Sequence, residues 1–502
     1  MKPKAGATKT GRTDAPRPYS GLNDQYINGA WRPGRSGVKG KDTDPYTSET
    51  IAEIALADQS DLDEAYQAAA KAQPIWAAAL PADRAAILLC AASIMEARRE
   101  EIVSWLIRES GSARVKSQFE WELTHAVTLE ASSFPHRAQG RIIPIDDPCK
   151  ESRVYRRPVG VVGVISPWNF PLYLSQRAVG PALALGNAVV LKPSADTPVA
   201  GGLLLAKIFE EAGLPPGLLN IVVGSSSEIG DAFISNPIPR VISFTGSTAV
   251  GRRVAELAAK SPIIKRVMLE LGGNTPTVVL DDADLDQAAR AAVIGRFLHQ
   301  GQICMSTNRI IVDESVSDEF EERFTAQAKT LKYGNPNDAD TVIGPIINSK
   351  QFKRLMGLIE SARGAGAREL LGGKPQGLVV PPHVFADVTN DMEVARNELF
   401  GPVAPIIKVK GEEEALRVAN DTEYGLSSAV ISGDTARGLR FALRLEVGMT
   451  HINGASVDDK PNCPFGGEKN SGIGRFGSDW VIQELTTDHW VTVQHAPRAY
   501  PF

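Results

Sequence analysis

The stretch Val159-Gly160-Val161-Val162-Gly163-Val164-Ile165 decides the fold. It carries no charge and is mostly β-branched, so it suits a strand buried on both faces, as in a parallel sheet. Similar runs follow: Ala188-Val189-Val190-Leu191, Leu219-Asn220-Ile221-Val222-Val223, Arg240-Val241-Ile242-Ser243-Phe244 and Thr277-Val278-Val279-Leu280. Helical patterns lie between them, at 199–212 and 250–260. Strand alternating with helix predicts a doubly wound parallel sheet. A second α/β region spans about 281–453, with helices near 284–298 and 317–331 and strands near 309–312 and 404–408.

On the N-terminal side, Tyr26-Ile27-Asn28-Gly29-Ala30-Trp31 reads as a strand broken by an Asn-Gly turn. A helix begins at Ser60, with Ser60 and Asp63 at capping-box spacing. Pro81 suits the first turn of a second helix reaching towards Arg99. A third passes Ile102, Trp105 and Leu106 and ends near Gly111. Residues 1–20 mix basic residues with Gly, Pro and Thr and lack an apolar h-region, so they read as a disordered tail and not a secretory signal. At the other end, Trp490-Val491-Thr492-Val493-Gln494 alternates as a strand. An exposed terminal strand invites pairing with another subunit.

The bulk properties exclude several classes. A chain of 502 residues holds about three ordinary domains. Its 43% apolar and 23% charged residues are those of a globular, soluble protein. A net charge of −5 does not favour a nucleic-acid partner. The longest apolar run, 85–95, is too short to cross a bilayer, so no membrane association is expected. Cys90, Cys149, Cys304 and Cys463 are widely spaced and show no metal-ligand spacing, so no metal is expected. Sparse cysteines point to reduced thiols and a cytoplasmic setting.

One of those cysteines carries the chemistry. Cys304 lies in Gly301-Gln302-Ile303-Cys304-Met305, and Glu270 lies upstream in Leu269-Glu270-Leu271-Gly272-Gly273. A thiol and a carboxylate, each beside glycines that admit a substrate, suggest covalent catalysis followed by water attack. A lone cysteine is otherwise a small core hydrophobe. One complete G-x-G-x-x-G, at Gly472, Gly474 and Gly477, follows loop composition rather than a strand, so it is a decoy for a dinucleotide site. Phe244-Thr245-Gly246-Ser247-Thr248-Ala249-Val250-Gly251 is the better candidate. It follows a strand and opens a helix, Gly246 permits a tight turn, and Ser247 can cap the helix whose N-terminus favours a phosphate. Lys192, at the end of a parallel strand, is placed to meet a ribose hydroxyl or a phosphate.

These motifs together resemble the aldehyde dehydrogenase family. The match is ordered and runs from about Tyr26 to Val493. It takes in Ser166-Pro167-Trp168-Asn169-Phe170-Pro171, Lys192-Pro193-Ser194, the turn at 244–251, Glu270-Leu271-Gly272-Gly273 and the Gly301-to-Cys304 run. Glu398-Leu399-Phe400-Gly401-Pro402, Asn453 and Pro464-Phe465-Gly466-Gly467 complete it. The resemblance implies an α/β chain: a doubly wound, parallel-sheet cofactor domain (21–142 and 158–271), a second α/β catalytic domain (272–479) and a small β oligomerisation arm (143–157 and 480–502). A homodimer or homotetramer is expected.

The resemblance also implies roles. Cys304, as thiolate, attacks an aldehyde, Asn169 and the Cys304 N–H stabilise the oxyanion, and Glu270 activates water against the resulting thioester. NAD or NADP is expected along Ile165, Ser166, Pro167 and Trp168, then Lys192, Ser194 and Ala195. Its path continues by Phe244, Gly246, Ser247, Val250, Leu271 and Gly272, with Glu398 on the nicotinamide ribose and Phe400 near the ring. NAD-preferring members often carry a glutamate at the position of Ala195, so NADP is expected to be tolerated, with Asp196 a candidate replacement. The substrate tunnel is expected to be lined by Phe170, Tyr173, Leu174, Arg177, Ile303, Met305, Cys463 and Phe465, within and beside the 457–465 loop. Its apolar character suits a hydrophobic or aromatic small-molecule aldehyde, as in the benzaldehyde and vanillin dehydrogenase branch. Arg177 leaves a semialdehyde open if it binds a carboxylate, or else it pairs within the protein. A protein that kept the fold without turnover is the non-enzymatic alternative.

Overall fold

In the computed structural model, which describes residues 16–502, the opening run becomes strand Val161–Ile165, inside an eight-stranded sheet. Five strands of that sheet are mutually parallel, in the order Leu219–Ile221, Ala188–Lys192, Val161–Ile165, Val241–Thr245 and Arg266–Glu270. Every residue of Ala188–Lys192 is buried, as strands covered on both faces must be. The winding reverses between Val161–Ile165 and Val241–Thr245. A reversal of this kind opens a crevice at the carboxyl ends of the two strands.

Antiparallel additions close both edges. The hairpin of Gln25–Ile27 and Ala30–Arg32 turns at Asn28 (φ 53°) and Gly29 (φ 78°) and pairs with Leu219–Ile221. At the far edge Gly472–Ile473 pairs with Arg266–Glu270, so the G-x-G-x-x-G run lies in an edge strand and the loop after it.

One expected strand changes sheets. The run at 277–280 does not extend the first sheet. It forms Thr275–Val279 in a second, seven-stranded sheet, between Thr307–Asp313 and Ala429–Ile431. The fifth parallel strand of the first sheet is Arg266–Glu270, whose exposed Arg266 and terminal Glu270 hide it from a search for apolar runs. The second sheet packs a core on each face: Ile311 and Val430 on one, Ile310 and Ile431 on the other, as period-two alternation requires.

Helix Gln59–Ala77 starts earlier than expected. Its cap is Asp58, with Asp61 completing the capping box, because the extended backbone at Asp58 lets the two carboxylates exchange backbone bonds. Pro81–Ala97 and Arg99–Ser110 match their signals, the latter ending at Gly111 with φ 63°. Arg114–Ser132 follows, a long helix that periodicity passes over. Its inner face buries Lys116, Ser117, Glu120, Thr124 and Thr128, which interrupt any apolar stripe. The stretch at 199–212 opens as a π-turn, Val199–Leu203, before helix Leu204–Glu211.

The expected tail lies outside the described residues up to position 15. Beyond that, Tyr19 is anchored: its N–H donates to Glu101 and its ring lies 3.7 Å from the Arg98 guanidinium. The C-terminal strand Thr486–Gln494 pairs along its whole length with Lys150–Pro158 of its own chain, and Arg141–Ile142 joins the other side. Self-pairing satisfies one edge and leaves the outer edge of Thr486–Gln494 open. Among the described residues no single helix is long and apolar enough to cross a membrane.

Candidate active site

Register explains how Glu270 meets Cys304. Glu270 closes its strand at the crevice, and the chain then enters the second sheet at Thr275. Thr275 pairs with Thr307, so the lead-in residues of two parallel neighbours, Gly272-Gly273 and Cys304, lie side by side. A Cβ on Gly273 would stand 2.1 Å from the Cys304 carbonyl oxygen. Before Cys304, His299 and Gln300 (both φ 52°) and Gly301 (φ 74°) are left-handed in succession. Buried Arg296 bolts this turn, donating to the carbonyls of Gly301 (2.9 Å) and Thr307 (2.7 Å). Strain held so firmly marks a functional turn.

Cys304, Glu270 and Asn169 share the wall of one cavity of about 340 Å³. Glu270 is 2% exposed, and neither carboxylate oxygen has a hydrogen-bond partner among the described residues. Burial pushes its carboxyl up to about 8, against the pull of Arg177 and Arg475. Burial first, then the charges of Glu270 and Glu398, push the Cys304 thiol up to about 12. A shift in this direction favours the protonated sulphur, so a base that takes its proton assists its attack as thiolate. Asn169 is buried, and its Nδ2 donates to the Gln302 carbonyl at 2.9 Å. An amide nitrogen carries two hydrogens, so one remains for a ligand.

The cavity extends to the turn at the switch point. Pro167, Trp168, Gly246, Ser247, Leu271, Gly272, Glu398 and Phe400 line it. Ser247 holds the N-cap position of Thr248–Lys260, but its side chain makes no capping bond, contrary to expectation. Thr248 and Ala249 line the cavity at this uncapped end, whose first-turn N–H groups suit a phosphate. Glu398 accepts from the Gly273 N–H at 3.0 Å, and burial raises its carboxyl to about 7. Phe400 meets the Trp168 ring edge-on at 5.4 Å. Helix N-terminus, carboxylate and aromatic pair together fit a nicotinamide dinucleotide.

Other expected cofactor residues lie off that wall. Ile165, Lys192 and Phe244 sit in register on adjacent strands and continue the same carboxyl edge with Ser166, whose N–H donates to the Lys192 carbonyl. Burial lowers the Lys192 ammonium to about 8. Ser194 is half-buried, and Ala195 and Val250 are exposed. Asp196, the candidate replacement, is half-buried and accepts from Asn348 Nδ2 through one carboxylate oxygen at 3.2 Å. Gln351, Arg354, Asn397 and Tyr424 also line the cavity and carried no sequence signal. Arg354 and Asn308 brace the loop at 397–399 through its backbone.

Beyond Cys304 lies a narrow apolar slot. Phe170, Tyr173, Leu174, Arg177, Ile303, Met305 and Phe465 line it as expected, with Val457 and Asp459 of the 457–465 loop. Phe119 and Leu123 come from Arg114–Ser132, the helix that periodicity passed over. Cys463 is corrected. It is exposed and absent from the lining, because its turn packs its backbone carbonyl against Gly477. Arg177 is 3% exposed and pairs with Asp459 at 3.3 Å, while the Tyr173 hydroxyl donates to the same carboxylate oxygen at 2.7 Å. The guanidinium also covers the rings of Phe465 (4.2 Å) and Phe476 (4.5 Å). Its charge is answered within the protein.

The aldehyde dehydrogenase family model matches residues 31–491. A vanillin dehydrogenase from Corynebacterium glutamicum is 53% identical over 94% of this chain and 97% of its own length. The crystal structure of an NAD-dependent benzaldehyde dehydrogenase from the same organism has a TM-score of 0.88 at 49% identity, covering 96% of this chain and 98% of that one. A salicylaldehyde dehydrogenase from Pseudomonas putida G7, solved with salicylaldehyde, has a TM-score of 0.93 at 40% identity, covering 95% and 99%.

Proposed function

The chain belongs to the aldehyde dehydrogenase family, and from that premise we propose that it oxidises aromatic aldehydes to carboxylic acids with NAD or NADP. One observation carries the reading: Cys304, Glu270 and Asn169 face the same cavity where the apolar slot meets the crevice of the first sheet. Glu270 takes the proton of the Cys304 thiol, and the sulphur adds to the aldehyde carbon. Asn169 and the Cys304 N–H donate to the oxyanion of the thiohemiacetal. The nicotinamide cofactor, when bound, supplies the acceptor for the hydride that leaves this carbon. A thioester remains on Cys304. Glu270 releases the thiol's proton to solvent, then deprotonates water for hydrolysis of the thioester and returns that proton to the leaving sulphur, releasing the acid and the thiol.

The slot favours flat apolar substrates through Phe119, Phe170, Tyr173 and Phe465. The internal Arg177–Asp459 pair leaves no unanswered cation for a substrate carboxylate, which speaks against a semialdehyde. A buried carboxylate with free oxygens is the base that hydrolysis needs, and it speaks against a protein without turnover. We assign the division into domains as 21–142 with 158–271, and 272–479. The arm of 143–157 and 480–502 is the surface through which copies assemble into a homodimer or homotetramer. The test is cofactor reduction with benzaldehydes, long aliphatic aldehydes and succinic semialdehyde, beside Cys304→Ala. Benzaldehydes are expected to react fastest and the variant to lose at least about 10³-fold in kcat. Fastest turnover of the semialdehyde would overturn the substrate class.

A further inference from the structure

An ion pair buried at both ends stands behind the oxyanion donor. Lys116 and Glu120, one turn apart on Arg114–Ser132, are each 0% exposed, with Nζ and Oε2 2.5 Å apart. Burying two charges costs more than their attraction returns unless further hydrogen bonds complete the site. Those bonds converge on one short segment. Lys116 Nζ donates to the main-chain carbonyl of Asn169 at 2.6 Å and to Ser112 Oγ at 2.9 Å, and lies 4.1 Å from the Phe170 ring centroid. The other Glu120 oxygen accepts from the N–H groups of Leu172 (2.9 Å) and Tyr173 (3.2 Å). Helix Pro171–Ala184 has no cap of its own at Phe170, so Glu120 serves as one from a neighbouring helix.

We propose that Lys116 is a positioning residue that sets the oxyanion donor by gripping the Asn169 carbonyl, while Glu120 fixes the helix start that follows. The Asn169 backbone is held from behind by Lys116, and its amide is held from the front by the Gln302 carbonyl of the Cys304 loop. With both ends fixed, the second amide hydrogen has one direction left. The same helix sends Phe119 and Leu123 into the slot, so donor and slot wall move as one body. The inference rests on Asn169 being the oxyanion donor.

The test compares two neutral double variants, K116M/E120Q and K116Q/E120Q. Glu120→Gln keeps an acceptor for Leu172 and Tyr173 in both. Of the two changes at position 116, only Lys116→Gln keeps a donor for the Asn169 carbonyl. K116M/E120Q is expected to lose about 10- to 100-fold in kcat with the KM for cofactor unchanged, as small misplacements of a reacting geometry do. K116Q/E120Q is expected to recover most of the loss. In an Asn169→Ala background K116M/E120Q is expected to add less than about twofold, since residues acting through one group are not additive. Wild-type kcat in K116M/E120Q, or a full additive loss on Asn169→Ala, would overturn the proposal. Wild-type turnover by Asn169→Ala alone would remove Asn169 as the donor, and the inference with it.

Discussion

Glu270, buried, and Cys304, half-buried at the cavity wall, divide a proton between them. Burial raises the Glu270 carboxyl to about 8, so the fraction free to accept the thiol's proton grows as pH rises through that range. Activity, kcat/KM, is expected to climb as pH rises through about 8, and Glu270→Gln to lose that limb together with about 10²- to 10⁴-fold in rate. A flat profile in the wild type between about pH 6 and 9 would contradict the role. Ala195 is a second case at this scale. It is exposed just after the strand that carries Lys192, and the neighbouring Asp196 accepts from Asn348. Ala195→Glu is expected to lower kcat/KM with NADP by about tenfold and spare NAD, since a carboxylate there repels a 2′-phosphate. Equal use of NADP by variant and wild type would remove the inference.

At the scale of elements, the site is a seam between two sheets. The parallel pairing of Thr275–Val279 with Thr307–Asp313 brings Gly273 against the Cys304 carbonyl with no room for a methyl group. Gly273→Ala is expected to lower stability by about 1–3 kcal/mol through overpacking and to cut kcat further by displacing the thiol. Thermal unfolding and kinetics of one preparation read both effects. Loss of stability with kcat intact would show that the Cys304 loop absorbs the shift.

For the whole molecule, the open edge of Thr486–Gln494 is the exposed feature. Trp490 is 64% exposed there, while Tyr155 at 44% on the central strand and Ile142 at 76% on the opposite edge lie on the other face of the small sheet. We propose that this unpaired edge strand, with its exposed aromatic, is where a second copy docks. Trp490→Glu is expected to shift the protein towards monomer in light scattering after size exclusion, while the fold of each sheet stays intact. An unchanged mass would place the interface elsewhere.

Much of this protein was legible in its residues. Apolar runs at 161–165, 188–191 and 241–244 announced parallel strands, because a strand buried on both faces has no room for charge. The order of motifs around Asn169, Glu270 and Cys304 carried the chemistry. Three things waited for tertiary structure. Helix Arg114–Ser132 was invisible because its buried face mixes polar with apolar residues, and Lys116 and Glu120 complete their hydrogen bonds only on the segment at 169–173, distant in sequence. Strand Thr275–Val279 joined the second sheet because register, a long-range property, chose its partner. The upward shifts of Glu270 and Cys304 come first from desolvation, which no residue determines for itself.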